Sequence, residues 1–502
     1  MSTPAPLPGH VRTLVVGAGF AGIGMAATLR RADPDADVLV IERAEDVGGT
    51  WRENTYPGCA CDVPTALYSF SFAPSPRWSH TFARQPEILA YLQQVAEDEA
   101  VPLALGVELL GAEWLPAAQH WRVRTTRGEL SADVLVAATG TLSQPRTPSI
   151  EGLESFAGTT FHSARWNHTH DLAGQRVGVI GTGASAVQLV PEIADTAAHL
   201  TVFQRTPAWV IPRFDRVLPR WEKRLYTRVP AVQRTVRAVV YGYREAYVLA
   251  LAKLPAVLPA VTVVARTMLR RQVRTAALRE RLTPSYVLGC KRLLLSGTWL
   301  PTLARDDVDL VSAGIDHITP TGVTDRDGVV HPCDTLIFAT GFTPTEPPVA
   351  HLLSAGGRTL AQHWAGSPHA HRGTTVAGFP NLFLMYGPNT NLGHSSIVLM
   401  LESQAAYVRD ALATMDTQGL AVVDVRPDAQ AAYNARIDRA LSRTVWNVGG
   451  CSSWYIDATG RNAAMWPTFT WTFRRLTRRF DVASYTTEPS RAPAVVAGAG
   501  SP

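Results

Sequence analysis

Two glycine-rich turns, each set between an apolar strand and a helix of small residues, constrain this chain more than any other feature. VRTLVVGAGFAGIGMAATLRR, from Val11, contains Gly17-x-Gly19-x-x-Gly22, and VGVIGTGASA, residues 177–186, contains Gly181-x-Gly183-x-x-Ala186. Small residues in such a turn let a pyrophosphate reach the N-terminus of the helix that follows. Each turn is followed much later by the same element, Asp133-Val-Leu-Val-Ala-Ala-Thr139-Gly140 in one case and Asp334-Thr-Leu-Ile-Phe-Ala-Thr340-Gly341 in the other. That is an internal repeat, and it implies an α/β protein with two Rossmann-like dinucleotide-binding domains.

The residues after each turn assign a nucleotide to each repeat. In the first, the strand VLVIER ends in Glu42, twenty residues beyond Gly22, where a carboxylate accepts both ribose hydroxyls and repels a 2'-phosphate. The first repeat should therefore hold FAD or NAD. In the second, nineteen residues beyond Ala186, the register reaches Gln204 and Arg205. A guanidinium grips a 2'-phosphate bidentately, so the second repeat should take NADPH.

Two further motifs flank these turns. Gly48 to Asp62 reads GGTWRENTYPGCACD, and the linker before the second turn carries Phe156-x-Gly158-x-x-x-His162-x-x-x-Trp166-Asn167. Together they resemble the flavin-domain signature and the fingerprint of Baeyer-Villiger monooxygenases, the ketone-oxidising branch of flavin-containing monooxygenases. Trp166 favours this branch, because sister N- and S-oxygenating enzymes carry Tyr or Phe there. Asn167 departs from the Pro or Asp usual in the family and leaves heteroatom oxygenation as the alternative. A non-catalytic NADP(H)-binding redox regulator is a third reading, opposed by the matches at the chemical residues.

The resemblance implies the site. FAD would lie against Gly17, Gly19, Phe20, Gly22, Glu42, Gly49, Thr50, Trp51, Asp62, Tyr68 and Ile397. NADPH would lie against Gly181, Thr182, Gly183, Ala184, Ser185, Ala186, Arg205, Thr206, Lys291, Arg292 and Trp454. Asp62 would orient Arg292, and Arg292 would stabilise the anion formed when a C4a-peroxyflavin attacks a ketone. The implied product is an ester or lactone carrying one oxygen atom from O2.

Domain limits follow from the pattern. Residues 1–145 read as the first part of the FAD domain, 156–206 with 285–375 as the NADPH domain, and 378–485 as the second part of the FAD domain. An Arg-rich, helix-prone insertion fills 207–284, and 486–502 reads as a disordered tail. The family places such an insertion over the active site. A basic amphipathic face touching a membrane or a partner is the alternative.

Composition excludes other classes. The net charge of +5 comes with no nucleic-acid module, and the apolar window Tyr247 to Leu269 holds Lys253, Pro255 and Pro259, so no transmembrane segment is expected. Five scattered cysteines suit reduced thiols in a cytoplasmic protein, and Cys59-x-Cys61 lacks a second pair at zinc spacing, so no metal is expected.

Overall fold

The computed structural model describes residues 6–342, 347 and 349–490. Its first sheet has nine strands, with a parallel centre built from Leu103–Leu105, Val38–Glu42, His10–Val16, Gly128–Ala137 and Leu382–Leu384. The Gly128–Ala137 strand serves two partners along one side. Its first residues pair antiparallel with His120–Thr125 and its last ones parallel with Leu382–Leu384. The second sheet is parallel throughout, in the order Val308–Val311, His199–Phe203, Arg176–Ile180, Thr335–Phe338 and Thr159–His162. Its central strands are apolar runs with few exposed positions, as expected where both faces are covered.

The repeat seen in the sequence is one packing solution used twice. Gly17 and Gly181 have φ of +105° and +115°, where an L side chain is strained. A Cβ on Gly17 would stand 2.7 Å from the carbonyl oxygen of Ala138, and one on Gly181 would stand 2.5 Å from that of Ala339. The late D-x-L-x-x-A-T-G strand of each repeat thus ends against the first glycine of its own turn. Backbone ladders match as well, with Gly17 N donating to Ile41 O at 2.8 Å and Gly181 N to Phe203 O at 3.0 Å.

The insertion folds into the helices Arg220–Arg228, Pro230–Val248, Leu258–Gln272 and Ala276–Arg281. Pro230 and Pro259, which break the apolar periodicity, fall in first helical turns where no backbone donor is lost. Its buried side chains Val248, Leu251 and Leu258 share one core with Met400, Tyr433 and Trp446 of the C-terminal third. That part of the insertion packs on the C-terminal third, while Leu269, Leu278 and Leu282 at its end share a core with Leu300 and Leu310 of the second repeat.

Three expectations need correction. The chain returns to the first sheet before residue 378, since Leu353–Ala355 pairs with Leu109–Leu115 and buries Leu353 completely. The tail is ordered past 485, because Tyr485–Pro489 pairs antiparallel with Leu420–Val425. Buried Tyr485 anchors that edge strand, and its polar neighbours resemble loop composition; residues 491–502 lie outside the described residues. Cys290 and Cys451 form a disulfide across 161 residues, a separation that leaves no local trace in a sequence. Cys59, Cys61 and Cys333 are free and buried.

Candidate active site

Asp62 and Arg292, 230 residues apart, meet in a bidentate pair: Nε donates to Oδ2 and Nη2 to Oδ1, both at 2.7 Å. The pair is not sealed, since the Arg292 side chain keeps 42% exposure and the Asp62 side chain 22%. Burial is the largest influence on Asp62 and raises its pKa, but the charge and hydrogen bonds of Arg292 outweigh it and hold the carboxyl below its ordinary range. The charge of Asp62 likewise raises Arg292. Each member of the pair thus favours the charged form of the other.

The flavin side is assembled from the first turn and the Gly48–Asp62 segment. The Phe20–Ala32 helix starts at Gly19 with no side-chain cap and no acid in its first turn, which leaves its N-terminus open to an anion. Gly19 and Gly49 face each other, and a Cβ on Gly49 would stand 3.1 Å from the Gly19 Cα. Glu42 accepts from Ala18 N at 2.9 Å and from Ala44 N at 3.1 Å, and pairs with Arg52 at 3.2 Å. Each carboxylate oxygen still has acceptor capacity for a ribose hydroxyl. Thr50 opens the short Thr50–Glu53 helix; Trp51 Nε1 donates to Tyr68 OH at 3.1 Å, and Phe20 stacks edge-on against Tyr68 at 5.0 Å. Ile397 begins the long Ile397–Gln418 helix, whose cap Ser396 accepts from Val398 N at 3.2 Å. These residues fit FAD.

The second turn offers the same open helix end. Ala184–Ile193 starts at Gly183 without a side-chain cap, and a Cβ on Gly183 would meet nothing. Ser185 is half-buried and Ala186 is fully buried under the helix. Thr182 Oγ1 donates to Thr206 O at 3.1 Å, tying the turn to the strand end that carries exposed Arg205. Lys291 lies 5.1 Å over the Tyr286 ring, and burial and then the Arg205 charge lower its pKa. Two cations that repel each other beside an open helix end fit NADPH and its extra phosphate. Trp454 lines a cavity of about 70 Å³ with Gly140, Tyr386 and Asn391, and its ring packs on Tyr455 at 4.6 Å.

The fingerprint residues form the linker that ties the repeats together. Gly158 leaves no room for a side chain, since its Cβ would come within 2.2 Å of Asp334 O and 2.7 Å of the Phe156 ring. His162 ends its strand, accepts from Ala164 N at 3.0 Å through Nδ1 and has no partner at buried Nε2. Trp166 packs edge-on against Phe161 at 5.0 Å. Asn167 makes a local turn in which Oδ1 accepts from Thr169 N at 3.1 Å and Thr169 Oγ1 at 2.8 Å. Only that oxygen is used, so Asn serves here as Asp would. Arg165 pairs with Glu53 and His168 bonds Thr55 at 2.7 Å, which anchors the linker to the flavin segment.

Comparison with known proteins agrees with this geometry. Residues 14–240 match the family model of pyridine nucleotide-disulphide oxidoreductases. A Baeyer-Villiger monooxygenase of Streptomyces coelicolor is 48% identical over 480 residues, covering 95% of this chain and 92% of that protein. Another, of Pseudomonas aeruginosa, is 44% identical over 498 residues, covering 97% and 94%. The chain belongs to the Baeyer-Villiger monooxygenase family. The crystal structure of OTEMO in complex with FAD and NADP superposes with a TM-score of 0.85 at 27% identity, covering 97% of this chain and 100% of that one. As a Baeyer-Villiger monooxygenase the protein is an NADPH-dependent flavoenzyme, with FAD and NADP as its cofactors.

Within this monooxygenase the structure adds residues that the sequence did not mark. Arg244, on the Pro230–Val248 helix, adds its charge to Asp62, and its Nε is buried with no partner. Arg213, also with a buried unpartnered Nε, interacts with the same carboxylate. Tyr386 and Tyr455 both feel the Arg292 charge, and burial pushes Tyr455 up to about 12. Asp62 thus feels the Arg244 charge as well as that of its partner Arg292, while Arg213 also has Asp215 at 3.8 Å. The available signal was Glu245, the lone acid between Glu222 and Glu280, next to Arg244. It is buried, bonded to His394 at 3.3 Å and to Thr470 N at 2.9 Å, and it fixes the helix over the site. Burial lowers the pKa of His394, which is wholly enclosed against Glu245.

Proposed function

We propose that this protein inserts one oxygen atom from O2 next to the carbonyl of a small-molecule ketone, with Arg292 as the group that stabilises the negative charge and Asp62 as its positioning residue. When bound, FAD reduced by the nicotinamide cofactor supplies the activated oxygen. The observation that carries the assignment is the bidentate Asp62–Arg292 pair. A guanidinium has five N–H donors, and Asp62 takes two, so three remain for an oxyanion. The pair also fixes the guanidinium plane before the reaction, so no reorganisation is needed as charge develops. Arg244 strengthens the positive field at the same point.

Arg205 and Lys291 hold the 2'-phosphate in this reading, and the Thr182–Thr206 bond sets the distance between turn and phosphate. Arg292→Ala tests the assignment. Oxygenation of a ketone should fall by about a hundredfold or more, the size of losing one oxyanion donor, while NADPH oxidation continues with release of hydrogen peroxide. A variant that forms ester at the parent rate would refute the role of Arg292. Offering a ketone and a thioether together tests the alternative: ester should dominate, and sulfoxide alone would move the reading to heteroatom oxygenation.

A further inference from the structure

The outer side of the insertion has no role in the chemistry, yet its composition is unlike the rest of the surface. Eleven of the eighteen exposed large apolar side chains among the described residues fall between Phe214 and Val264. On the Pro230–Val248 helix the inward stripe holds Arg237, Tyr241, Arg244 and Glu245. The outward stripe, Ala238, Val239, Gly242, Tyr243, Ala246 and then Leu249, carries no charge. The apolar face continues around the bend through Leu254 and Val257, which are 57% and 44% exposed, to Val263 and Val264 on the next helix. No single helix among the described residues is long and apolar enough to cross a membrane; the two helices pass that test only together, and they are bent by 103°. They form an elbow whose tip exposes Leu254 and Val257 beside Lys253, a shape suited to lying at an interface between apolar and charged layers.

Charge identifies what covers this face. Residues 213–274 hold 14 Lys and Arg against 3 Asp and Glu, a net of +11 in a chain whose total is +5. All three acids have partners inside the chain: Asp215 bonds Thr81, Glu222 pairs with Arg216, and Glu245 bonds Thr470. The apolar face is flanked by Arg224, Arg228 and Arg234 at one end and by Arg266, Arg270 and Arg271 at the other, all exposed. At the first end Arg77, Lys223, Arg224 and Arg228 line a surface cleft of about 340 Å³. A two-fold contact with a second copy would set arginine rim against arginine rim whichever ends met. A surface with an apolar interior and anionic headgroups matches both parts at once.

We propose that the outer face of the insertion docks on an anionic phospholipid bilayer, with Leu254 and Val257 at the inserted tip and the flanking arginines on the headgroups. Co-sedimentation of the FAD-loaded enzyme with phosphatidylcholine vesicles, with and without phosphatidylglycerol, tests this. Binding should require phosphatidylglycerol, weaken with salt, and fall about fivefold for each of Arg224→Gln and Arg228→Gln. The double variant Val239→Asp, Leu254→Asp should lose binding tenfold or more, while its melting temperature and its turnover of a water-soluble ketone stay at the parent values. The proposal fails if the parent enzyme ignores anionic vesicles, or if the double variant binds them as well as the parent. It also fails if light scattering shows a dimer that the double variant dissolves, since a second copy would then cover the face.

Discussion

Arg292 illustrates how one residue acquires a role from its surroundings. In isolation Lys291-Arg292 is an ordinary basic pair, but the fold sets Lys291 near the Arg205 charge and bonds Arg292 to Asp62, so adjacent cations have different surroundings. His162 is a second case, because its protonation is coupled to folding. Burial lowers its pKa to about 4 from the ordinary 6.5. Between those values the unfolded chain binds a proton that the folded chain refuses, so this histidine makes stability rise as pH climbs from about 4 to 6.5. His162→Gln should flatten that part of the profile, read as the urea midpoint against pH. A slope unchanged by the substitution would show that the ring titrates normally in the fold.

At the level of elements, the glycine turns and their late partner strands were legible because steric exclusion leaves the chain no other residue there. Gly17 and Gly181 both abut a carbonyl oxygen that a Cβ would strike. The strand end at Arg205 was legible for the same reason of register, and it leads to a coenzyme test. Arg205→Ala should raise the KM for NADPH between tenfold and a hundredfold, on the order of a lost charge-assisted hydrogen bond of about 1.5–3 kcal/mol. The KM for NADH, which has no 2'-phosphate, should stay near its parent value, so the ratio of the two reports the contact. Equal loss for both coenzymes would place Arg205 in the fold rather than on the phosphate. What the sequence hid is also physical. Arg244 sits in a helix with arginine on several faces, and tertiary contacts such as Glu245 with Thr470 and Arg237 with Ala66 decide which of them point inward. The edge strand Tyr485–Pro489 was hidden because a half-exposed strand of Thr, Glu and Pro differs from a loop only in having a partner.

The whole molecule is held together at the site by chain segments distant in sequence, and the disulfide is the covalent instance. Cys290 lies two residues before Arg292, and Cys451 four residues before Tyr455, whose ring feels the Arg292 charge. The bond therefore joins the segment that carries the guanidinium to the segment that closes beside it. Val287 N donates to Gly449 O at 3.0 Å, and a Cβ on Gly449 would stand 2.6 Å from that of Cys290, so the two segments are already in close contact without the sulfurs. Native contact of this kind means that most of the effect of the bond falls on the unfolded chain, where it closes a loop of 161 residues. In the chain-entropy relation a loop of that length corresponds to about 5 kcal/mol of stabilisation. Dithiothreitol should accordingly lower the unfolding midpoint of the FAD-loaded parent and leave that of the Cys290→Ser, Cys451→Ser double variant where it stands. Because the backbone contact survives reduction, ketone turnover at moderate temperature should change far less than the midpoint. A parent midpoint indifferent to the reductant would mean that the two sulfurs are not joined, and the segments would then rest on the Val287–Gly449 contact alone.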